Sequence, residues 1–503
     1  MKPTLARLIR LLCPLLACAL PCAAAPAKPN IVFILADDLG WKDLSHAGST
    51  FYETPNIDSL ASKGMVFSQA YAPSPLCSPT RAAIMTGLDP ARIGLTFPFC
   101  HLPDVVLEKG HEKSTAPGWK ALLANQMTRL DTKYTTLAES LRAAGYRTGH
   151  YGKWHLGRAP YSPLEQGFDV DIPHTDAPGP LPNGFFHPFP VWPGHGKPGD
   201  NLEDLLCDEA VKFIHQHKDE PFFLNYWAFQ VHSPWQAKDK QIEKYRAKAD
   251  PENLQRNPVY AGMVETLDEA VGRLISALEE TGVLDRTIIV FTSDNGPYFI
   301  ANKQHMPAEF GGVPVTSAHP LRAGKQTVYE GGLRVPLIVK WPGVTKPGSQ
   351  SDALFLLTDF FPTFTDLLDL PLADGIRFDG ISQRRALEGG AAVRDEIFVH
   401  FPHRPDAGRY QRQPAPTPLS PTTAMRKGDW KLIRYYFRND DLSHRHELYH
   451  LAEDPGERHD LSAAKPEKLT ELIALMDQRL AETEAVLPIK NPNYVPPKNP
   501  VGD

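Results

Sequence analysis

Three apolar runs, each ending abruptly in polar residues, constrain this chain more than any other feature. NIVFILADDLG is apolar from Ile31 to Leu35 and ends in Asp37-Asp38. TIIVFTSDNG ends in Asp294-Asn295, and PFFLNYWAFQVHSPW ends in His232. Short, continuous runs of β-branched and aromatic residues read as strands buried on both faces. Between them, YTTLAESLRAAG (134–145) and VETLDEAVGRLISALEETG (264–282) carry helical spacing and close at Gly145 and Gly282. Buried strands alternating with helices specify an α/β fold with both faces of the sheet covered. With 503 residues, 42% of them hydrophobic, the chain has material for a large core and more than one domain.

In open α/β sheets, ligands bind beyond the carboxyl ends of the strands. The polar ends of these runs therefore converge on one edge. Asp37 and Asp38 are adjacent like charges at the end of an apolar strand, a costly arrangement unless a cation offsets it. Asp294 and Asn295 add hard oxygen donors, and neither pair contains a histidine. Such a set suits Ca²⁺ or, less well, Mg²⁺ rather than zinc. Asp-Asp-Leu-Gly and Asp-Asn-Gly are also ordinary turn sequences, so spacing alone leaves a structural reading open. The net charge of −6 argues against a nucleic-acid partner. An anionic substrate must meet a local basic pocket instead.

The N-terminus reads as an export signal. Lys2, Arg7 and Arg10 precede an apolar stretch from Leu11 to Leu20, and Ala23-Ala24-Ala25 follows. The stretch is shorter than the roughly 20 residues of a spanning helix, so no transmembrane anchor is expected. Residues 1–25 are read as a cleaved signal peptide of a secreted or periplasmic protein. Leu16-Ala17-Cys18 also fits a lipoprotein signal, and signal peptidase type stays open. Removal of Cys13, Cys18 and Cys22 leaves Cys77, Cys100 and Cys207, an odd number, so at least one thiol stays unpaired in an oxidising compartment.

Cys77 stands in PLCSPTRAAIMTG (75–87). Ser78 fits a helix cap, Pro79 the first helical position and Gly87 the end. A thiol just before a helix N-terminus, with Arg81 one turn inside, is expected to be acidic and reactive. A buried free cysteine is the ordinary alternative.

Cys77-Ser78-Pro79-Thr80-Arg81, with Thr86-Gly87 behind it, resembles the Cys-x-Pro-x-Arg signature of the type I, formylglycine-dependent sulfatases, arylsulfatase-like members of the alkaline-phosphatase-like superfamily. NIVFILADDLGWKDL, GYRTGHYGKWHLG, VHSPW, TSDNG, LRAGKQTVYEGGLRVPLIVKWPG and the C-terminal AMRKGDWKLIRYY…ELYHLAEDPGERHDL match family blocks in the family's order. The resemblance implies a large mixed, mainly parallel sheet sandwiched by helices. It further implies a catalytic domain over 26–391 and a smaller antiparallel-sheet subdomain with an extended tail over 392–503.

It also implies roles. A maturation enzyme would oxidise Cys77 to Cα-formylglycine, whose hydrate attacks sulfur. Asp37, Asp38, Asp294, Asn295 and modified Cys77 would hold one Ca²⁺. Arg81 would hold the hydrate, and Lys153 a sulfate oxygen. His155 would help eliminate sulfate from the covalent intermediate, His232 would protonate the leaving alcohol, and Lys325 would bridge sulfate and leaving oxygen. Lys153 and His155 are two apart, so a strand would point both the same way. The chemistry requires such a set: a nucleophile, cationic and hydrogen-bonding groups for the non-bridging oxygens, and an acid at the leaving group.

The substrate is expected to be a sulfated sugar or polysaccharide. His101, His174, Asp176, His187, His319 and Arg322 are candidate substrate contacts in the loops, and Phe185, Phe186 and Trp192 candidates for stacking on sugar faces. TSAHPLR (316–322), Lys42 and His46 depart from the commoner family pattern at positions that shape such a pocket. Two alternatives stand beside the sulfatase: a phosphate or phosphonate ester hydrolase of the same superfamily, and a non-catalytic glycan-binding relative. A two-zinc phosphatase would show a Ser or Thr nucleophile and several ligand histidines, and a pseudoenzyme would lack one or more of these residues.

Overall fold

The computed structural model describes residues 28–181, 184–299, 305–372, 375–405 and 420–496. The expected signal peptide, with Cys13, Cys18 and Cys22, and the end of the tail lie outside the described residues. In chain order the strands of the main sheet are β1 (Asn30–Ala36), β2 (Met65–Phe67), β3 (Arg147–Gly152), β4 (Val170–Ile172), β5 (Phe222–Trp227), β6 (Thr287–Ser293), β7 (Leu337–Lys340) and β8 (Ser349–Ser351). Their spatial order is β8-β2-β7-β6-β1-β5-β3-β4. β6, β1, β5, β3 and β4 run parallel, while β7 is antiparallel to β6 and β2.

The apolar run of β1 is buried on both faces because consecutive residues serve different cores. Ile31, Phe33 and Leu35 join one hydrophobic cluster, and Val32, Ile34 and Ala36 the other. The first cluster takes Ala82, Ile84 and Met85 from the helix Cys77–Thr86. The second takes Leu206, Ala210 and Phe213 from the helix Leu202–Gln216, with Val264, Leu267 and Val271 from the helix Pro258–Glu280. The 23-residue helix Pro258–Glu280 starts where Asn257 accepts from the backbone N–H groups of Val259 and Tyr260, and Gly282 follows its end at φ +70°. Truncating a fully buried side chain such as Phe33 to alanine costs about 3–5 kcal/mol.

Four further strands, β9 (Glu396–Phe401), β10 (Thr422–Lys427), β11 (Trp430–Tyr435) and β12 (Arg445–His450), form a separate antiparallel sheet. One face (Ile397, Val399, Phe401) packs on Val328 and Tyr329 of the main body, and the other (Met425, Leu432, Leu448) on Leu472, Met476 and Leu480 of the helix Pro466–Glu482. Among the described residues no helix is long and apolar enough to cross a membrane.

Candidate active site

Register places the acidic residues. Ala36 of β1 pairs with Ser293 of β6, so Asp37 and Asp294 leave adjacent parallel strands side by side. Asp294 N–H donates to Ala36 O at 3.1 Å, and Asp38 N–H to Asp294 Oδ1 at 3.2 Å. On the other flank Asp37 N–H donates to Gln230 O at 2.8 Å, bringing in the exit of β5 and with it His232. Asp38 sits at φ +64°, a left-handed conformation that costs a non-glycine residue roughly 1–2 kcal/mol.

Each carboxylate has a different buried cation as its nearest partner. Lys153 Nζ lies 2.5 Å from Asp37 Oδ2, Lys325 Nζ 2.6 Å from Asp38 Oδ1, and Arg81 Nη2 2.7 Å from Asp294 Oδ2. Burial opposes ionisation of Asp38, but Lys325, His232 and Lys153 outweigh it and hold its carboxyl below the ordinary range. Burial and the like charge of Asp37 push Asp294 up to about 6 despite Arg81. Two oxygens in this group, Asp37 Oδ1 and Asn295 Oδ1, are buried without a hydrogen-bond partner. Crowded carboxylates and orphaned oxygens of this kind fit a hard cation. One ligand atom each from Asp37, Asp38 and His232 lie within 4.8 Å of one another, which adds an imidazole at the edge of the expected oxygen set.

Cys77 is the first residue of its helix, and Leu76 occupies the cap position. The expected cap, Ser78, instead donates its hydroxyl to His155 O at 2.7 Å, tying the helix start to the loop after β3. Gly87 ends the helix at φ +67° as expected. The thiol is not acidic: burial pushes it up, outweighing Lys153 and Lys325. A helix dipole cannot offset the loss of water around a thiolate at 2% exposure.

Lys153 and His155 both reach the site, but not from a strand. β3 stops at Gly152, whose φ is +109° and where any Cβ would fall 2.0 Å from Trp227 O. Lys153 N–H bonds that same carbonyl at 2.7 Å, and His155 takes a left-handed φ of +53°. His155 Nδ1 thereby stands 3.5 Å from Cys77 Sγ. Arg81 braces the turn, donating from Nη1 to Lys153 O at 2.5 Å.

His232 Nε2 is 3.7 Å from Asp38 Oδ2, and its Nδ1 lies 2.7 Å from Ser233 O. A carbonyl only accepts, so Nδ1 carries the proton and Nε2 faces the site bare. Burial, Lys325 and Lys153 hold this ring neutral, with its pKa lowered to about 3.

Cys77, His101, His155, His232 and Lys325 line one pocket of about 230 Å³. Leu76, Phe99, Trp235, Tyr298 and His305 also line it and were missed in the sequence. Trp235 lies in the VHSPW block, and its N–H bonds His305 O at 2.7 Å. The other four carry no signal in periodicity or charge.

Of the candidate substrate contacts, only His101 reaches this pocket. His174 is exposed and paired with Asp171 at 2.7 Å. His187 packs its ring on Phe189, and Asp176 lies 3.9 Å from Arg158. His319 and Arg322 line a neighbouring cavity. Phe185 is fully buried in the core, Phe186 packs against that core, and Trp192 is buried against His195. Phe185 and Trp192 therefore offer no free face to a sugar. Among the described residues Cys77, Cys100 and Cys207 are all free and buried, with Cys100 and Cys207 in different cores.

The family model described as Sulfatase matches residues 29–370, and that of the C-terminal part of N-sulphoglucosamine sulphohydrolase matches 323–486. The N-acetylgalactosamine-6-sulfatase of Sus scrofa is 31% identical, covering 97% of this chain and 94% of its own. The N-acetylgalactosamine-6-O-sulfatase of Bacteroides thetaiotaomicron is 30% identical over 90% and 93%, and human arylsulfatase A 33% over 89% and 87%. Among solved structures, Ps i-CgsB in complex with k-i-k-neocarrahexaose superimposes with a TM-score of 0.70 at 27% identity, covering 94% of this chain and 95% of its own. The phosphonate monoester hydrolase of Agrobacterium radiobacter shares the fold at 19% identity and a TM-score of 0.61.

Proposed function

This chain belongs to the sulfatase family, whose members hydrolyse sulfate esters, and on that footing we propose that it is an exported sulfatase acting on a sulfated sugar through formylglycine at position 77 and one bound Ca²⁺. The observation that carries the reading is the pairing of three buried cations with three carboxylates around Cys77. The pairs cancel in charge, so a divalent cation leaves the site positive and ready for an anionic ester. The names of several relatives point to the 6-sulfate of N-acetylgalactosamine as the first substrate to try. The basic flank, apolar stretch and small residues of 1–25 support export. We take 26–391 as the catalytic domain and 392–503 as the C-terminal subdomain.

Asp37, Asp38, Asp294 and Asn295, with the side chain at 77, would hold the Ca²⁺, which when bound would draw charge from a sulfate oxygen. Formylglycine, produced from the thiol by a maturation enzyme, would supply a hydrated aldehyde with one hydroxyl to attack and one to release sulfate. Lys153 binds a non-bridging oxygen, Lys325 bridges sulfate and the leaving oxygen, and Arg81 fixes the loop that presents Lys153. His155 accepts the hydroxyl proton at Nδ1. His232 delivers a proton from Nε2 to the departing alcohol. It is neutral in the free protein, so the anionic ester beside it must raise its pKa before it can act.

The test is sulfate release from sulfated mono- and disaccharides, with phosphate and phosphonate esters as controls. Sulfate release that is lost in Cys77→Ala supports the proposal. Hydrolysis of the phosphorus esters alone moves the assignment to the other branch of the superfamily.

A further inference from the structure

The second cavity lies against the first. It measures about 560 Å³ and is lined by Phe299, Ser317, His319, Arg322, Ala323 and Arg458, among others. Tyr298 and Lys325 line the catalytic pocket, whereas Phe299 and Ala323 line this one, so segments 297–299 and 322–326 form a shared wall. Lys325 N–H donates to Pro297 O at 3.0 Å across that wall. At Gly324 a Cβ would fall 2.4 Å from Pro297 O and 2.7 Å from the Phe299 ring, so the two segments of the wall pack closely only because residue 324 is glycine.

Size separates the two spaces. Ligand pockets usually span roughly 300–1,000 Å³. The catalytic pocket, at about 230 Å³, is below that range and suits a sulfate with part of one ring. The neighbouring cavity, at about 560 Å³, takes another whole ring.

Charge gives its preference. Arg458 is exposed, and among the described residues its guanidinium makes no ion pair. Arg322 stacks on Tyr329 at 3.9 Å and donates to Glu457 O, while its Nε is buried without a hydrogen-bond partner. Among the described lining residues the one acid is Glu457, and its carboxylate is turned to Lys431 at 2.8 Å and to the Glu330 N–H at 2.7 Å. The wall is thus cationic, with Phe299 and Leu321 as its apolar part.

We propose that this cavity is a second saccharide subsite selecting a sulfated or carboxylated ring adjacent to the ring whose sulfate is removed. The inference rests on the sulfatase reading above. Arg458 and His319 contact the acidic group of the second ring, and Phe299 its apolar face.

The experiment compares three substrates: the sulfated monosaccharide, the same residue joined to an anionic ring, and the same residue joined to a neutral ring. Wild type should show kcat/KM about 10-fold higher for the anionic than for the neutral disaccharide, equivalent to about 1.4 kcal/mol. In Arg458→Ala and Arg458→Glu the ratio should collapse towards one. No preference in wild type, or a preference that survives both substitutions, overturns the subsite while sulfate release from the monosaccharide leaves the sulfatase reading standing. Wild type inactive on all three overturns both.

Discussion

Nδ1 of His101 lies 3.1 Å from Nε2 of His155, whose other ring nitrogen faces Cys77 Sγ at 3.5 Å. Two imidazoles therefore run in series from the pocket to Cys77. For His155 Nδ1 to accept a proton, its Nε2 must carry one and His101 Nδ1 must accept that hydrogen bond. In the proposed mechanism His101 is thus a positioning residue that fixes the tautomer. His101→Ala should lower kcat about 10-fold with a smaller change in KM. His101→Asn, whose Oδ1 can accept the same hydrogen bond, should recover part of the loss. Steady-state kinetics of the two variants decide, and equal kcat in both would remove His101 from the account.

A cation at the strand ends should be visible in stability. Binding to the folded state adds about 2.7 kcal/mol at a ligand concentration 100 times Kd. Melting after chelation and again with added Ca²⁺ should show a rise in Tm that is lost in Asp37→Ala. Mg²⁺ should give a smaller rise. A Tm insensitive to both ions contradicts the metal assignment.

The loop that carries Lys325 is anchored from the C-terminal sheet. Lys431 lies 2.9 Å from Glu330 and 2.8 Å from Glu457, all three buried, and Glu330 starts the helix five residues beyond Lys325. Burial pushes Glu457 up to about 7, with Lys431 opposing. Lys431→Ala leaves two buried acids without their cation and should cost about 3–5 kcal/mol. Chemical denaturation measures the loss. Lys431→Met with Glu457→Gln should recover much of it, because fewer unpaired charges then remain.

Much of this site could be read from the chain because its parts lie where local rules end. The two aspartate-bearing runs are strands by composition, and parallel register alone then brings Asp37 and Asp294 together. The helix and its end at Gly87 were legible, but it starts at Cys77, two residues before the first position expected at Pro79. The failures share a cause, which is tertiary contact overriding local preference. Ser78 gives up the cap for His155 O because the loop after β3 passes over the helix start. Lys153 and His155 converge through a glycine-enforced turn at Gly152 that strand periodicity cannot anticipate. Phe185 and Trp192 look like sugar platforms in a proline-rich loop, but the loop folds them inward.

Stability should fall as the pH rises from acid to neutral, through Glu203. Burial pushes its pKa up to about 7, against the hydrogen bond from Tyr226 at 2.6 Å. An acid whose folded pKa exceeds its unfolded value binds more protons folded than unfolded, so stability is lost between about pH 4.5 and 7 and stays lost above. The loss is of order 3 kcal/mol. Glu203→Gln should flatten this part of the profile of Tm between pH 5 and 8. An identical slope in wild type and variant would show that Glu203 is not the source.

In the proposed mechanism Cys77 is the precursor of the nucleophile, and the mass of its peptide is the direct test. Protein from a host with the maturation enzyme should show a loss of about 18 Da at residue 77, as one sulfur and two hydrogens leave and one oxygen enters in the oxidation of thiol to aldehyde. Sulfate release across preparations should scale with the converted fraction. Full sulfatase activity in protein whose Cys77 remains a thiol would contradict the account.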